Sequence, residues 1–398
     1  MKLQEVNDQT AAREFLLLPV RLYKHSSNWI RPLDKDINAV FDPERNKTHR
    51  NGEMTRWILK DDADITVGRV AAFINRKTVN KDNDQPTGGI GFFECIDDQD
   101  VAFALFDACK GWLQARGMEA MDGPINFGDR DRWWGLLVKG FEYEPNYLCN
   151  YNFPYYQRFF ENYGFRDYFG QITFARKVMD PLSPKLHEKA ERIFRDPKYT
   201  FRHLEMKEIE RYTEFFHTIY NKAWASHKGV PQLSLQVARH IMKQMKPVMD
   251  PKIMWYGFYG DDPIAFFIML PEVNQIFKHL NGRLDLIGKL KFLYHQKRGT
   301  CRKMFGTVFG IVPEHQGKGV EGALIESVRR LVQGSYRRYD DFEMNWIGDF
   351  NLKMIHVAEQ VGGYRSKIHT TYRLLFDPQK PFRRHPVIGG GEKRQNEE

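Results

Sequence analysis

Cysteine is scarce in this sequence. The four cysteines among its 398 residues, Cys95, Cys109, Cys149 and Cys301, are scattered without a Cys-x-x-Cys pair, which argues against a disulfide framework and against a zinc site. No metal centre is expected. Long hydrophobic runs are lacking as well: the longest, Ile264 to Leu270, falls far below the roughly 20 residues that cross a bilayer, so no membrane span is expected. The opening Met1-Lys2-Leu3-Gln4-Glu5-Val6-Asn7-Asp8 is polar where a signal peptide is apolar, and a cytoplasmic location is the expectation. No Ser-His-Asp or Cys-His constellation is supported by spacing.

What is present is the composition of a compact protein, 42% apolar and 14% aromatic, with length for two domains that each bury a full core. The net charge of +9 is unevenly spread: residues 1–180 hold 24 basic and 27 acidic side chains, a balance of −3, and residues 181–398 hold 36 and 24, a balance of +12. The positive half suits an anionic ligand, although a solvated basic surface gives the same count.

The stretch Phe309 to Val328 lies in that half. Its first residues read as a short buried strand, Pro313 ends it, and Ala323, Leu324, Ile325, Val328 and Leu331 then recur at helical spacing. A strand, a glycine-bearing turn and a helix thus follow without spare residues. The N–H groups of such a turn and of the first helical residues favour a phosphate or pyrophosphate, and Lys318 adds positive charge at the rim.

Val312-Pro313-Glu314-His315-Gln316-Gly317-Lys318-Gly319 resembles the acyl-CoA loop of the GNAT (GCN5-related) N-acyltransferases, Gln/Arg-x-x-Gly-x-Gly/Ala after a strand. Gln316 and Gly319 fall on the first two signature positions; the third is Glu321, with Gly322 one place later. The resemblance implies that acetyl-CoA or another acyl-CoA is co-substrate and that Ile311, Val312, Gln316, Gly317, Lys318, Gly319, Val320 and Gly322 hold it, with backbone N–H groups around Ile311 and Val312 polarising the thioester carbonyl. It also implies that the strand Asp341 to Ile347 splays away to admit the acyl-CoA arm and that Asn351 opens the last helix beside it. The family's general-acid tyrosine, seven residues after that asparagine, is Ala358 here.

The first half has the order hairpin, strand, helix, strand of the same fold, and looks like a second, divergent copy. Where its acyl-CoA loop would lie it has Cys95-Ile96-Asp97-Asp98-Gln99-Asp100, three carboxylates that repel a pyrophosphate. The expected architecture is therefore α/β with mixed sheets: two tandem GNAT-like domains, each a mostly antiparallel twisted sheet flanked by helices. Residues 1–180 form the divergent domain without an acyl-CoA loop, 181–378 the domain with one, and 379–398 a disordered tail. Between hairpin and loop of the second half lies an insertion, Pro271 to Arg302. Its stretch Lys278 to Lys303 holds eight basic residues against Asp285 alone, a balance of +7. It could contact RNA or anionic lipid, lie as a basic lid over the 3′-phosphate of CoA, or be a solvated helix.

Acyl transfer needs a deprotonated amine and a reprotonated thiolate. Glu343 is the first candidate base and Glu272 the second; Tyr364 and Tyr372 are the candidates to stand in for the missing acid. Two classes of function follow. One is an acyl-CoA-dependent N-acyltransferase acting on the amine of a small molecule or peptide, whose first half shapes the acceptor cleft. The other is a non-catalytic or RNA-engaging tandem protein, with aminoacyl-tRNA-dependent transfer of the Fem type close to the first.

Overall fold

The computed structural model describes residues 1–81, 83–224 and 232–387. The first half comprises β1 (Lys2–Glu5), α1 (Gln9–Leu22), α2 (Asp34–Phe41), β2 (Gly52–Lys60), β3 (Thr66–Asn75), β4 (Thr87–Cys95), α3 (Gln99–Gln114), β5 (Ala120–Gly123), β6 (Leu136–Lys139), α4 (Tyr155–Tyr163) and β7 (Arg166–Lys177). Strands β2, β3 and β4 form an antiparallel meander. Helices cover both of its faces, which is why β3 is buried along nearly its whole length rather than on alternate residues: Val70, Ala72 and Ile74 pack with Leu105 of α3, and Ala71 and Phe73 with Phe15 of α1. Helix α3 then crosses over to β5, parallel to β4. The acidic turn between β4 and α3 does structural work: Asp98 accepts from the N–H groups of Asp100 and Val101, capping α3, and Asp97 pairs with Arg158 at 2.7 Å.

The second half runs α5 (Pro184–Phe194), β8 (Tyr199–His203), α6 (Ile209–Trp224), α7 (Leu235–Met245), β9 (Met254–Tyr259), β10 (Asp262–Pro271), α8 (Asn274–Phe277), α9 (Leu286–Arg298), β11 (Lys303–Ile311), α10 (Val320–Gln333), β12 (Asp341–Met344), β13 (Ile347–Gly348), α11 (Leu352–Gln360) and β14 (Tyr364–Leu375). Strands β8 to β11 are antiparallel, and α10 crosses over to β12, parallel to β11. The insertion supplies the two helices α8 and α9.

The halves share one mixed, mostly antiparallel sheet in the order β1-β2-β3-β4-β5-β14-β7-β12-β11-β10-β9-β8, with β6 against β14 and β13 against β7. They exchange their last strands. β14, the end of the second half, lies beside β5 of the first, and β7, the end of the first, lies beside β12 of the second. β14 and β7 pair with each other from Tyr364 opposite Ala175 to Arg373 opposite Arg166. A cut at residue 180 separates the halves along the chain, but each half's sheet is completed by the other. A partly buried ion pair ties the exchange, Arg373 Nε donating to Asp122 Oδ1 at 2.6 Å. Of the expected tail, residues 379–387 are described: Arg384 pairs with Asp167 and Asp349, and the N–H of His385 donates to the carbonyl of Tyr168. Residues 388–398 lie outside the described residues. Among the described residues no helix is long and apolar enough to cross a membrane, and no group of three or more metal-ligating side chains is found.

Candidate functional site

Strands β11 and β12 pair only from Lys303 opposite Asp341 to Gly306 opposite Met344, whereas β11 runs on to Ile311. The N–H of Asn345 donates to the carbonyl of Gly306 at 2.8 Å and ends the ladder; the chain then leaves for β13, against β7. Beyond Gly306 one edge of β11 faces a gap. On its other edge the register with β10 slips between Ile268 and Met269. Thr307 is the extra residue, and its hydroxyl donates to the carbonyl of Ile268 at 2.8 Å. Such a bulge re-aims the backbone beside it.

At the far end of β11 the glycine turn takes the form that the sequence implied. Gly317 and Gly319 have φ of +71° and +103°, a region that residues with a Cβ rarely adopt. Gly319 caps α10 without a side-chain acceptor, so the first N–H groups of that helix are left for a ligand. The Gln316 amide donates to the carbonyl of Ile311 at 2.9 Å and holds the turn closed. The Lys318 carbonyl accepts from Arg192 at 2.9 Å, and the Lys318 side chain is exposed. Val320 is fully buried. Gly322 faces α5, where an added Cβ would lie 3.3 Å from the carbonyl of Leu186.

That packing fixes the rotation of α10, and Glu321 comes to line the cleft. A carboxylate beside a phosphate costs roughly 1 kcal/mol where solvent screens both. If the turn takes a phosphate, Glu321→Ala is therefore expected to bind CoA, used as the probe, about three- to tenfold tighter than the parent in a calorimetric titration. Unchanged affinity would mean that the phosphates sit elsewhere.

The cleft runs from Gln316, Gly317 and Glu321 along the open edge of β11 to Met269 and Met304, with a volume of about 890 Å³. Its walls are dominated by apolar side chains, among them Phe267, Phe309, Phe342, Met344, Trp346 and Ile347. The ionisable groups on its lining are Arg176, Glu321, Arg329 and Lys353. Arg329 is held by Glu326 at 2.7 Å, and Arg176, delivered by the exchanged β7, donates to the carbonyl of Val361. Asn351 caps α11 by accepting from the N–H of Met354 at 3.3 Å and also lines the cleft. Ala358 sits in a small core with Ile172, Phe174, Ile347 and Ile355, so α11 offers no acid at that position.

The expected catalytic residues do not all meet there. Along β12, Phe342 and Met344 line the cleft and Glu343 between them does not, as strand alternation requires. Glu343 is buried; Lys367 Nζ donates to both its oxygens at 2.9 Å, and Lys303 stands at 3.2 Å. Burial alone would raise its pKa, but Lys367 and Lys303 outweigh burial and hold the carboxyl below its ordinary range. Such a group is a poor base.

Glu272 lies next to it in a different setting. Its Oε1 accepts from the N–H groups of Tyr147 and Asn274 at 3.0 and 2.9 Å, and its Oε2 is buried without a partner. Burial, helped by the charge of Glu343, raises its pKa to about 7 against the pull of those N–H groups and Lys303. Tyr147 and Asn274, though not Glu272 itself, line a second, small cavity of about 70 Å³ with Trp29, Arg31, Trp133 and Cys149 beneath the first half's loops. The Cys149 thiol is pushed up to about 12 by burial and by Glu272.

Tyr364 is exposed at the start of β14, its pKa raised to about 12 chiefly by burial of the hydroxyl and then by Tyr143. Tyr372 is buried in the first half, donating to Glu161 at 3.0 Å. Neither lines the cleft. Ile311 does, but Val312 does not, and the Val312 N–H is taken by the carbonyl of Ile264 at 2.9 Å. Sequence reasoning missed Thr307, whose bulge leaves no compositional mark. It also missed Lys367, for which a lysine inside a strand otherwise built for burial was the available signal.

No protein-family model matches the chain. It is 26% identical over 366 residues to the bacterial ceramide synthase of Caulobacter vibrioides, an alignment that covers 90% of this chain and 94% of that one. Protein YghO of Escherichia coli is 26% identical over 368 residues, covering 90% and 92%. Among solved structures, a tandem GNAT protein from the clavulanic acid biosynthesis pathway superposes with a TM-score of 0.53 at 10% identity over 95% of this chain and 100% of that one. A GCN5-related glucosamine N-acetyltransferase region within a fungal multi-domain β-N-acetylglucosaminidase gives 0.54 at 13% identity, covering 94% of this chain and 38% of that protein.

Proposed function

We propose that this chain, which has the fold of tandem GNAT proteins, is an N-acyltransferase that moves a long-chain acyl group from a coenzyme A thioester to an amine. One observation carries the reading: a single cleft joins the glycine turn, an open strand edge and walls dominated by apolar side chains. The turn and the start of α10 suit the phosphates, the open edge of β11 suits the pantetheine amides, and the channel toward Met269 and Met304 suits an alkyl chain, at about 0.8 kcal/mol per methylene buried. Acetyl-CoA would leave most of that channel unfilled. The relation to a bacterial ceramide synthase over nearly the whole chain supports the same direction, a ceramide being the amide of a fatty acid with a long-chain amino alcohol.

In this reading Glu272, which is buried and lines neither cavity, takes the proton from the attacking amine at one remove, through a bridging water. A carboxyl with a pKa about 7 is matched to that task near neutral pH, and its free Oε2 is the acceptor. The first half shapes the amine side through Tyr147 and its neighbours around the second cavity. The amine nitrogen adds to the thioester carbonyl, its proton passes to Glu272, and the C–S bond breaks to release CoA as thiolate; no side chain on the cleft is assigned to reprotonate it.

A non-catalytic role is the second reading, favoured by Glu321 on the cleft wall and by Ala358 in the core. Incubation with palmitoyl-CoA and a long-chain amino alcohol, followed by mass spectrometry of the amide and thiol release, separates them. The amide and stoichiometric free CoA are expected. Binding of the thioester without either product would select the non-catalytic reading.

A further inference from the structure

Helix α9 of the insertion turns most of its large apolar side chains outward, the wrong way for a globular protein. Its inner face is formed by Gly288, Phe292, His295 and Gln296: Phe292 packs on Phe277 with ring centroids 5.8 Å apart, His295 stacks on His279 at 4.3 Å, and the Gln296 amide donates to the carbonyl of Pro247 at 2.8 Å. The outward face carries Leu286, Ile287, Leu290, Leu293 and Tyr294, exposed at 74%, 66%, 61%, 49% and 56%. At 100° per residue these five fall within one arc of about 120°. Both ends of the helix are finished, Asp285 accepting from the N–H of Gly288 and Gly299 closing it in the left-handed region, so the exposed stripe belongs to a well-formed element.

Basic residues flank that stripe. Lys289 lies on one side, Lys291 and Arg298 on the other, and Lys297 within it near the C-terminal end, all exposed. The segment from Lys278 to Lys303 carries eight basic residues against one acidic. An RNA contact would use the charges but gains little from five exposed apolar side chains, and a protein partner would not need a basic border on both sides. An apolar stripe between two basic margins is the pattern of a helix lying in the interfacial plane of an anionic bilayer, its apolar side chains among the acyl chains and its lysines among the headgroups.

We infer that α9 docks this protein onto an anionic phospholipid membrane surface. The pattern of the helix alone carries this, independently of the acyl-transfer reading. The position suits that reading nonetheless: α9 is joined through residues 299–302 to β11, whose Met304 and Gly306 line the deep end of the apolar cleft. Seating α9 in a bilayer would bring that end toward the phase in which long-chain substrates and products dissolve.

The test is co-sedimentation of the full chain with vesicles of phosphatidylcholine containing 40% phosphatidylglycerol, with pure phosphatidylcholine vesicles alongside. Binding to the anionic vesicles, weakened by 0.5 M salt, is expected. Lys289→Glu with Lys291→Glu should weaken it about tenfold or more, and Leu290→Ser with Leu293→Ser comparably. All four positions are exposed, so thermal melts matching the parent are expected of both variants. Failure of the parent chain to sediment with anionic vesicles would overturn the inference. So would sedimentation that neither variant reduces, retention on an RNA column without vesicle binding, or a dimer in solution that the leucine substitutions dissociate. Amide formation in detergent is read separately and decides the acyltransferase reading alone.

Discussion

Glu272→Gln is expected to lower amide formation about 10²- to 10⁴-fold near neutral pH, the usual contribution of a positioned base. Glutamine keeps the oxygen that accepts from Tyr147 and Asn274 and replaces only the unpartnered Oε2, so the packing around it should survive. In the parent protein the rate should climb with pH through about 7 and then level off; the variant should lack that limb. Stability supplies an independent reading. The folded-state pKa is raised from an ordinary 4.5 to about 7, so between those values the folded protein holds a proton that the unfolded chain has lost, and stability falls as pH rises through that window. The cost at pH 8 is on the order of 3 kcal/mol. Glu272→Gln removes it, so the variant should melt above the parent at pH 8 and lose that advantage at pH 4. A variant that stays fully active would exclude Glu272 as the base, whatever its melting behaviour.

Lys367→Met is expected to have the largest effect on stability. It leaves Glu343, itself buried, with Lys303 at 3.2 Å as its remaining cationic neighbour, and stranding one member of a buried pair costs about 3–5 kcal/mol. The sign again sets the pH dependence. The carboxyl of Glu343 is depressed in the folded state, so its stabilisation is present above the ordinary carboxylate pKa and is lost as pH falls through the folded value. The gap between parent and variant should therefore narrow in acid. Adding Glu343→Met to the variant should restore much of the loss, because a buried pair replaced by apolar side chains is often close to neutral. Urea denaturation of the parent, both single variants and the double variant measures the coupling; simple additivity would show that the two groups do not depend on each other.

The glycine turn, both parallel crossovers and the hairpins were legible because each rests on a local signal: Pro313 after a strand, Gly317 and Gly319 before an apolar helical repeat, Gly260-Asp261-Asp262 between two apolar runs. The strand exchange was not legible. β7 and β14 each read as the final strand of their own half, and nothing local in Arg166 to Lys177 or Tyr364 to Leu375 says which sheet they join, since a central strand looks the same beside either neighbour. The candidate site was legible in proportion to its dependence on the backbone. Gln316, Gly317 and Asn351 lie on the cleft, whereas the one-residue alternation of β12 decided where Glu343 faces, and a short strand's register is set by its partners rather than by its own sequence. Glu272 was named only as the second candidate base; its raised pKa comes from burial, and the loop of Tyr147 that contacts it lies more than a hundred residues away in the chain.

Calorimetric titration of the full chain with palmitoyl-CoA, held below its micelle concentration, against acetyl-CoA and free CoA tests the account most directly. The apolar channel predicts saturable binding of all three at one site per chain, with palmitoyl-CoA at least a hundredfold tighter than acetyl-CoA, well short of the full transfer energy of its additional methylenes. Absence of heat with every thioester, or equal affinity for the acetyl and palmitoyl forms, would contradict it.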